Sequence, residues 1–160
     1  IYEGTTAIQA NDLVGRKTAR DGGQTARAIA AQIEKTEAEL RASATPAALS
    51  VAERLAAARA SFLAAVDFIA ASAKRAPNAA YAGSVPYLML TGNLVAGWQM
   101  GRALLVAQSK LAAGEETAFM QAKITTAQFY AEHILVRTAG LREAIVQGGE
   151  SACALPLEAF

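Results

Sequence analysis

The chain has 160 residues and a formal net charge of +1, which favours binding neither to nucleic acid nor to an anionic membrane surface. Its one cysteine, Cys153, excludes an internal disulfide and indicates a reducing compartment, so we expect a cytoplasmic protein. Hydrophobic residues make up 53% of the chain but aromatic residues only 6%, and alanine accounts for about a quarter. This composition is typical of closely packed helices and lacks the β-branched and aromatic runs of strands. The predicted fold class is therefore all-α.

The first nine residues, Ile-Tyr-Glu-Gly-Thr-Thr-Ala-Ile-Gln, carry the strongest functional signal. Glu3 is a carboxylate beside Gly4, and a glycine allows a close approach of backbone and ligand. Thr5 can cap a helix, and a helix N-terminus suits an anionic phosphate. A carboxylate so close to the first residue cannot have its pocket built from upstream sequence, and the chain begins with Ile. We therefore expect it to be the C-terminal piece of something longer.

This stretch resembles the C-terminal signature of the acyl-CoA dehydrogenases, and Asp-Leu-Val-Gly-Arg-Lys at 12–17 with the alanine-rich tail is similar to one branch. That branch carries an extra C-terminal helical domain and includes the 3-methylmercaptopropionyl-CoA dehydrogenase type. The specific resemblance covers residues 1–17 only. It implies Glu3 as the catalytic base, Gly4 as a substrate contact, and Thr5 with Thr6 as contacts to FAD.

The resemblance also implies an acyl-CoA substrate, α,β-desaturation of its thioester and an electron-transfer flavoprotein as the electron acceptor. Ala7 departs from the pattern, because many members have glutamine there, and this removes a possible polar contact to the flavin nucleotide. Independently of the family, taking a proton from the carbon beside a thioester needs a carboxylate held close to it in a dry site. Desolvation raises the pKa of such a carboxylate and strengthens it as a base.

A short helix is predicted over 5–16, and Asp21-Gly22-Gly23 is the clearest break in the chain. We expect residues 1–20 to end the dehydrogenase core and 21–160 to form an appended helical domain. Arg16 and Lys17 could reach a CoA or FAD phosphate, although a solvated helix end explains the pair better.

Four long helices are predicted in the appended domain. The first spans 24–42, with Ile29, Ile33 and Leu40 on its apolar face and Glu37 among the charged residues on other faces.

The second helix starts either at Thr45 with Pro46 in the first turn, or at the capping box formed by Ser50 and Glu53. It ends near Arg75.

The third helix spans about 79–112 and is either kinked at Pro86 or begins at Val85. Gly97 and Gly101 have the spacing of a close helix crossing, within the subunit or at a dimer seam.

The fourth helix follows a stop at Gly114, starts near Glu115 and Glu116, and ends at Gly148-Gly149 before a tail over 150–160. Its apolar positions keep one helical period over the whole length, at Met120, Ile124, Ala127, Ala131, Ile134, Thr138, Leu141 and Ile145. The four helices predict an up-down bundle preceded by a short N-terminal helical segment.

No charged residue lies between Arg75 and Arg102, which raises the possibility of a transmembrane helix. Prolines, asparagines and glycines interrupt the run, and a central bundle helix with neighbours on every side explains the same run. We expect no membrane span.

His133 is the chain's one histidine, and no second ligand at a suitable spacing supports a metal site. Cys153 has no basic neighbours that would lower its pKa, so we expect no nucleophile there. Tyr2 more plausibly packs the turn than takes part in chemistry.

Three functional hypotheses follow. In the first, the chain is the C-terminal part of an FAD-dependent acyl-CoA dehydrogenase and is inactive by itself. In the second, the appended helices serve interaction, either by holding a homo-oligomer together or by covering the CoA-binding mouth. In the third, the chain is a stand-alone helical binding module with an accidental signature.

Overall fold

The computed structural model describes residues 5–159, without the side chain of Leu157; residues 1–4 and 160 lie outside the described part. Within this part the chain is helical and contains no strand. A π-helical segment covers Leu13–Ala19, and 3-10 turns cover Leu135–Arg137 and Leu157–Ala159. The α-helices are α1 (Thr5–Asp12), α2 (Gln24–Ser43), α3 (Pro46–Ser72), α4 (Pro77–Ala82), α5 (Ser84–Ala112), α6 (Thr117–His133), α7 (Thr138–Gln147) and α8 (Gly149–Ala152).

A bundle of four rods forms the body of the molecule: α2, α3, α5, and α6 continued by α7. Because only two residues separate α2 from α3, the two helices run antiparallel, and Arg27 near the start of α2 pairs with Asp67 near the end of α3. In contrast, α5 runs parallel to α2, since Trp98 Nε1 donates to Thr36 and Gly101 lies beside Leu40 farther along both helices. The all-α fold class and the predicted up-down bundle with a short N-terminal helical segment are confirmed.

The central rod, α3, packs against α2, α5, α6 and α7. Thr45 is its N-cap and accepts a hydrogen bond from the backbone N–H of Ala48, and Pro46 occupies the first turn. This confirms the first of the two predicted starts; the start at Ser50 is wrong, because Ser50 lies inside the helix. The side chains that α3 buries are mostly small, which permits close packing on several sides: Ala48, Val51, Ala52, Leu55, Ala58, Ser61, Phe62, Ala65, Val66 and Ile69.

By length and composition alone, α3 is the one helix in the described part of the chain that could cross a membrane. The uncharged run between Arg75 and Arg102 does not give such a helix by the same criteria. Core helices of soluble proteins have the same apolar composition, and α3 packs against other helices on several sides here.

The predicted third helix is divided at Gly83 into α4 and α5. A Cβ at Gly83 would lie 3.1 Å from the Cα of Ile145 in α7. The backbone at the turn therefore packs so close to α7 that little room is left for a side chain. Pro86 then falls in the first turn of α5, where its missing N–H removes no helical hydrogen bond. This confirms the alternative in which the long helix begins near Val85.

The predicted fourth helix is interrupted. α6 ends at His133, a 3-10 turn follows, and α7 begins at Thr138, whose hydroxyl donates to the carbonyl of Leu135 at 2.6 Å. Both of these residues are buried, so the bend turns Leu135 into the core while Ile145 stays buried. The periodicity predicted most of the buried residues but not the bend, and it is wrong at Ile134, which is only partly buried, because the bend buries Leu135 instead.

Gly97 and Gly101 mark a close crossing inside the chain. A Cβ at Gly97 would lie 2.6 Å from Leu135 Cδ2, and a Cβ at Gly101 would lie 3.1 Å from Leu40 Cδ1. Both glycines are buried against residues of the same chain. The close crossing therefore lies within the subunit, which is one of the two predicted locations.

Glu37 corrects the prediction for α2. The sequence predicts Glu37 among the charged residues away from the apolar face, yet its side chain is fully buried, whereas Ile29, predicted on the apolar face, is 37% exposed. Arg59 explains the burial: its Nε donates to Glu37 Oε1 at 2.7 Å and its Nη2 donates to Oε2 at 3.0 Å. This two-point pairing holds α2 against α3.

Candidate functional site

The site predicted from sequence lies at the N-terminal edge of the described residues. Glu3 and Gly4 lie outside them. Thr5 and Thr6 are the first two residues of α1, and both are exposed. The structure therefore describes two of the four predicted site residues, together with the helical segment that follows them.

The start of α1 suits the polar part of a nucleotide cofactor. The first amides of a helix lack intrahelical partners, and the helix dipole favours an anion there. No acidic side chain occupies the first turn, and the Thr5 and Thr6 hydroxyls add two exposed donors. These residues fit the FAD contact that the resemblance implies, and they could hold a phosphate or a flavin carbonyl.

A π-helical segment, Leu13–Ala19, connects α1 to the bundle. The backbone N–H of Arg20 donates to the carbonyl of Gly15 at 3.1 Å, five residues back. Such wide turns are rare and occur often beside functional sites. A Cβ at Gly15 would lie 2.5 Å from the Tyr81 hydroxyl oxygen, so the glycine permits the close approach to α4.

A buried pair of hydroxyl groups fixes this segment to α5. Thr18 Oγ1 and Tyr87 Oη lie 2.9 Å apart, and each residue is 1% exposed. The Tyr87 ring stacks on Phe62 of α3, with centroids 5.9 Å apart and planes at 5°. Burial raises the pKa of the Tyr87 phenol, and the hydrogen bond to Thr18 opposes this rise. The phenol is thus a neutral structural anchor near neutral pH.

Sequence reasoning missed this anchor. Thr18 directly follows Arg16 and Lys17, whose charges suggest a phosphate contact and not a buried hydrogen bond. Tyr87 lies in the uncharged run between Arg75 and Arg102, which suggests a membrane or core helix and not a polar contact. The available signal was a hydroxyl-bearing aromatic residue one position after Pro86, at the start of an apolar helix, because a buried tyrosine needs a hydrogen-bond partner.

The Asp21-Gly22-Gly23 turn holds the segment at its other end. The Asp21 carboxylate accepts from the backbone N–H groups of Gly23 and Thr25, both at 2.9 Å, and from the Thr25 hydroxyl at 2.6 Å. The hydrogen bond from the Thr25 side chain is the largest cause that lowers the pKa of Asp21. Gly22 and Gly23 have φ of 65° and 82°, the left-handed conformation that glycine adopts without strain. This tight turn leads directly into α2.

The basic pair beside the signature is solvated. Arg16 forms an ion pair with Asp12 one turn earlier, and its side chain is 71% exposed. Lys17 is also exposed. The geometry agrees with the interpretation as a helix end.

His133 and Cys153 are both exposed, and the His133 ring stacks on Phe129 with centroids 4.4 Å apart. Over residues 5–159, no three His, Cys, Asp or Glu side chains come together as metal ligands. The predictions of no metal site and no nucleophilic cysteine are unchanged.

Comparison with known proteins identifies related sequences along most of the chain. The family described as "Acetyl-CoA dehydrogenase C-terminal like" matches residues 28–156. The chain is 54% identical over 151 residues to 3-methylmercaptopropionyl-CoA dehydrogenase of Ruegeria pomeroyi, covering 94% of this chain and 26% of the relative. It is 34% identical over 160 residues to the broad-specificity linear acyl-CoA dehydrogenase FadE5 of Mycobacterium tuberculosis, covering 91% of this chain and 25% of the relative. The chain thus spans about a quarter of the length of these curated relatives.

Proposed function

Because the chain belongs to the acyl-CoA dehydrogenase C-terminal family, we propose that it is the C-terminal part of an FAD-dependent enzyme that desaturates an acyl-CoA thioester. One observation carries the proposal: the Glu-Gly-Thr-Thr sequence at 3–6 precedes, in the same chain, a domain matched by this family over 28–156. Electron-transfer flavoprotein would reoxidise the enzyme, and the cytoplasm would be its compartment.

In this proposal Glu3 is the base. Its carboxylate takes the proton from the carbon next to the thioester carbonyl, and the electron pair of that C–H bond forms the new C=C bond as the β carbon loses hydride. FAD, when bound, supplies the acceptor for that hydride, which no side chain can supply. Exclusion of water would raise the pKa of Glu3 and make it a stronger base toward carbon.

The neighbouring residues position the reactants. Gly4 would allow the thioester to approach the backbone, and Thr5 and Thr6 would hold the flavin or its phosphates at the start of α1. Behind them, the Thr18–Tyr87 pair and the Asp21 turn fix the far end of the segment on the bundle. The bundle would therefore set the position of α1, which follows the base in the sequence.

The decisive experiment is Glu3→Gln in the full-length parent enzyme. Glutamine keeps the shape but removes the base, so we expect FAD to stay bound and desaturation to fall by at least about 10²-fold, the contribution typical of a general base. Glu53→Gln is a matched control, because Glu53 is exposed on α3 within the bundle. Full activity of the Glu3 variant would remove the proposed role.

The isolated 160-residue chain should neither bind FAD tightly nor turn over substrate, because the larger part of both pockets would lie upstream. Absorbance at flavin wavelengths after purification measures this directly. A stoichiometrically yellow chain would contradict it.

A second candidate function is subunit assembly, with a second copy of the chain as the alternative occupant of the exposed uncharged face of α5. Light scattering on a parent truncated after residue 20 tests this. An unchanged assembly state would argue against a homo-oligomer held by these helices.

A further inference from the structure

One exposed helix face in this bundle carries no charge. Every residue from Ala76 to Gly101 is uncharged, yet Val85, Met89 and Val95 of α5 are 41%, 51% and 37% exposed. We call these three residues, with Gly92 between them, the α5 stripe. Their spacing places them along one side of the helix. Exposed faces of helices that meet water normally carry charge, so the stripe is typical of a contact surface.

The second half of the same helix shows the contrast. Val106 is 57% exposed, but Arg102 and Lys110 flank it, and Lys110 donates to Glu115 at 2.8 Å. The exposed face of α3 likewise carries charge at Glu53 and Asp67. An isolated apolar residue on such a face needs no partner, whereas the α5 stripe has no charged residue near it in sequence.

The shape of the stripe also suits a contact. A Cβ added at Gly92 would meet nothing within 4 Å, so the stripe has an open notch between larger side chains. A side chain from a partner could enter that notch.

The N-terminal segment leads to this same part of α5. Thr18 contacts Tyr87, and Leu13 lines one small cavity with Thr91, so the segment runs back along α5 from its start towards its middle. Helix α1 packs on α5, and its Ile8 is 64% exposed. A polypeptide that packs against the outer side of α1 would therefore also lie close to α5.

We infer that the α5 stripe, together with Ile8, is the surface on which the flavin-holding body of the same polypeptide packs. This inference rests on the proposed function. About three quarters of each curated relative lies outside its match to this chain, so a large partner within the same polypeptide is available. The stripe thus joins the appended bundle to the catalytic core.

Methionine oxidation of the native full-length parent tests the inference without any substitution. Met89 is half exposed in this chain, whereas Met120 is 7% exposed and serves as an internal reference. If the core covers the stripe, hydrogen peroxide should oxidise Met89 about as slowly as Met120, as read by peptide mass spectrometry. Oxidation of Met89 about tenfold faster than Met120 would overturn the inference.

A pair of variants distinguishes the core from a second copy of the chain. Met89→Glu in the parent should expose the junction near residue 20 to protease, with the oligomeric state unchanged, while Val106→Glu should leave proteolysis at the wild-type rate. Dissociation of an oligomer by Met89→Glu, with each subunit still resistant to protease, would assign the stripe to a second copy and overturn the inference.

Neither readout needs activity. An active flavoenzyme with freely oxidised Met89 would refute this inference and leave the proposed function standing, whereas a parent without flavin would refute the proposed function itself, on which this inference rests.

Discussion

The bundle and the N-terminal segment of residues 5–23 are held in place by different kinds of contact. The bundle is held by many buried apolar side chains spread over four rods. The segment is attached through fewer groups: the fully buried Ala10 and Val14, the Thr18–Tyr87 hydrogen bond and the Asp21 turn. Burial of a valine contributes only about 1.5–3 kcal/mol, so single changes can loosen the segment while the bundle stays folded.

Two contacts inside the bundle also differ in the kind of interaction that holds them together. The contact between α2 and α3 contains a charged pair that can be broken at one residue, whereas the contact between α5 and the 3-10 turn depends on the absence of a side chain at Gly97. These differences order the predictions below by their expected size.

The largest effect is expected for Glu37→Ala. It removes the fully buried partner of Arg59 and leaves a guanidinium whose side chain is only 18% exposed. Breaking a buried ion pair on one side costs about 3 kcal/mol or more, and the remaining contact to Glu34 places this case at the low end. Urea unfolding measures it. Glu34→Ala is the control, because Glu34 is 62% exposed and its loss should cost less than about 1 kcal/mol.

Gly97→Val should destabilise the bundle by about 2 kcal/mol, because its Cβ would overlap the buried Leu135 side chain. Thermal unfolding measures the change. Gly140→Ala in α7 is the matched control: a Cβ there meets nothing within 4 Å, and alanine should stabilise the helix by about 0.5–1 kcal/mol. Equal stability of the Gly97 variant and wild type would mean that the crossing is looser than described.

Tyr87→Phe should cost about 1 kcal/mol, because it leaves the buried Thr18 hydroxyl without its partner. Hydrogen exchange should become faster in Leu13–Ala19 and stay unchanged in α3. Tyr130→Phe is the control, since Tyr130 is only partly buried and donates a longer hydrogen bond, 3.3 Å, to a backbone carbonyl. Uniform acceleration over the whole bundle would contradict the separation between segment and bundle.

The smallest effect is expected at Asp21. Its pKa is lowered in the folded state, so its contribution to stability is present above the unfolded value near 3.8 and is lost as the pH falls through the lower folded value. The stability difference between wild type and Asp21→Asn should therefore be constant above about pH 5 and shrink in strong acid. Melting temperatures between pH 6 and pH 2.5 would show this. Thr25→Val, which removes the strongest hydrogen bond to Asp21, should reduce the pH dependence.

Much of the fold follows from the sequence, and its failures have physical reasons. Apolar spacing predicted the bundle, and the positions of Pro46 and Pro86 predicted two helix starts. Local periodicity could not predict the bend after His133. The bend depends on a contact between Leu135 and Gly97, which lies on another helix. Glu37 was misplaced for a similar reason: a carboxylate becomes a core residue only when a partner such as Arg59 lies opposite it.

At the site, the sequence alone predicts the signature residues, whereas the structure is needed to see which contacts hold the following segment on the bundle. Thr5 and Thr6 are the first described residues of α1, and the predicted capping role of Thr5 stays a prediction. The hydroxyl pair that fixes the segment joins residues 69 positions apart, and no local pattern reports such a pairing.

Flavin bleaching in a single turnover tests the role of Glu3 most directly. The oxidised full-length parent is mixed with acyl-CoA without air, and the loss of flavin absorbance is followed in wild type, Glu3→Gln and Glu53→Gln. We expect rapid bleaching in wild type and Glu53→Gln, and a flavin that remains bound and oxidised in Glu3→Gln. Bleaching of the Glu3 variant at the wild-type rate would contradict the assignment of the base.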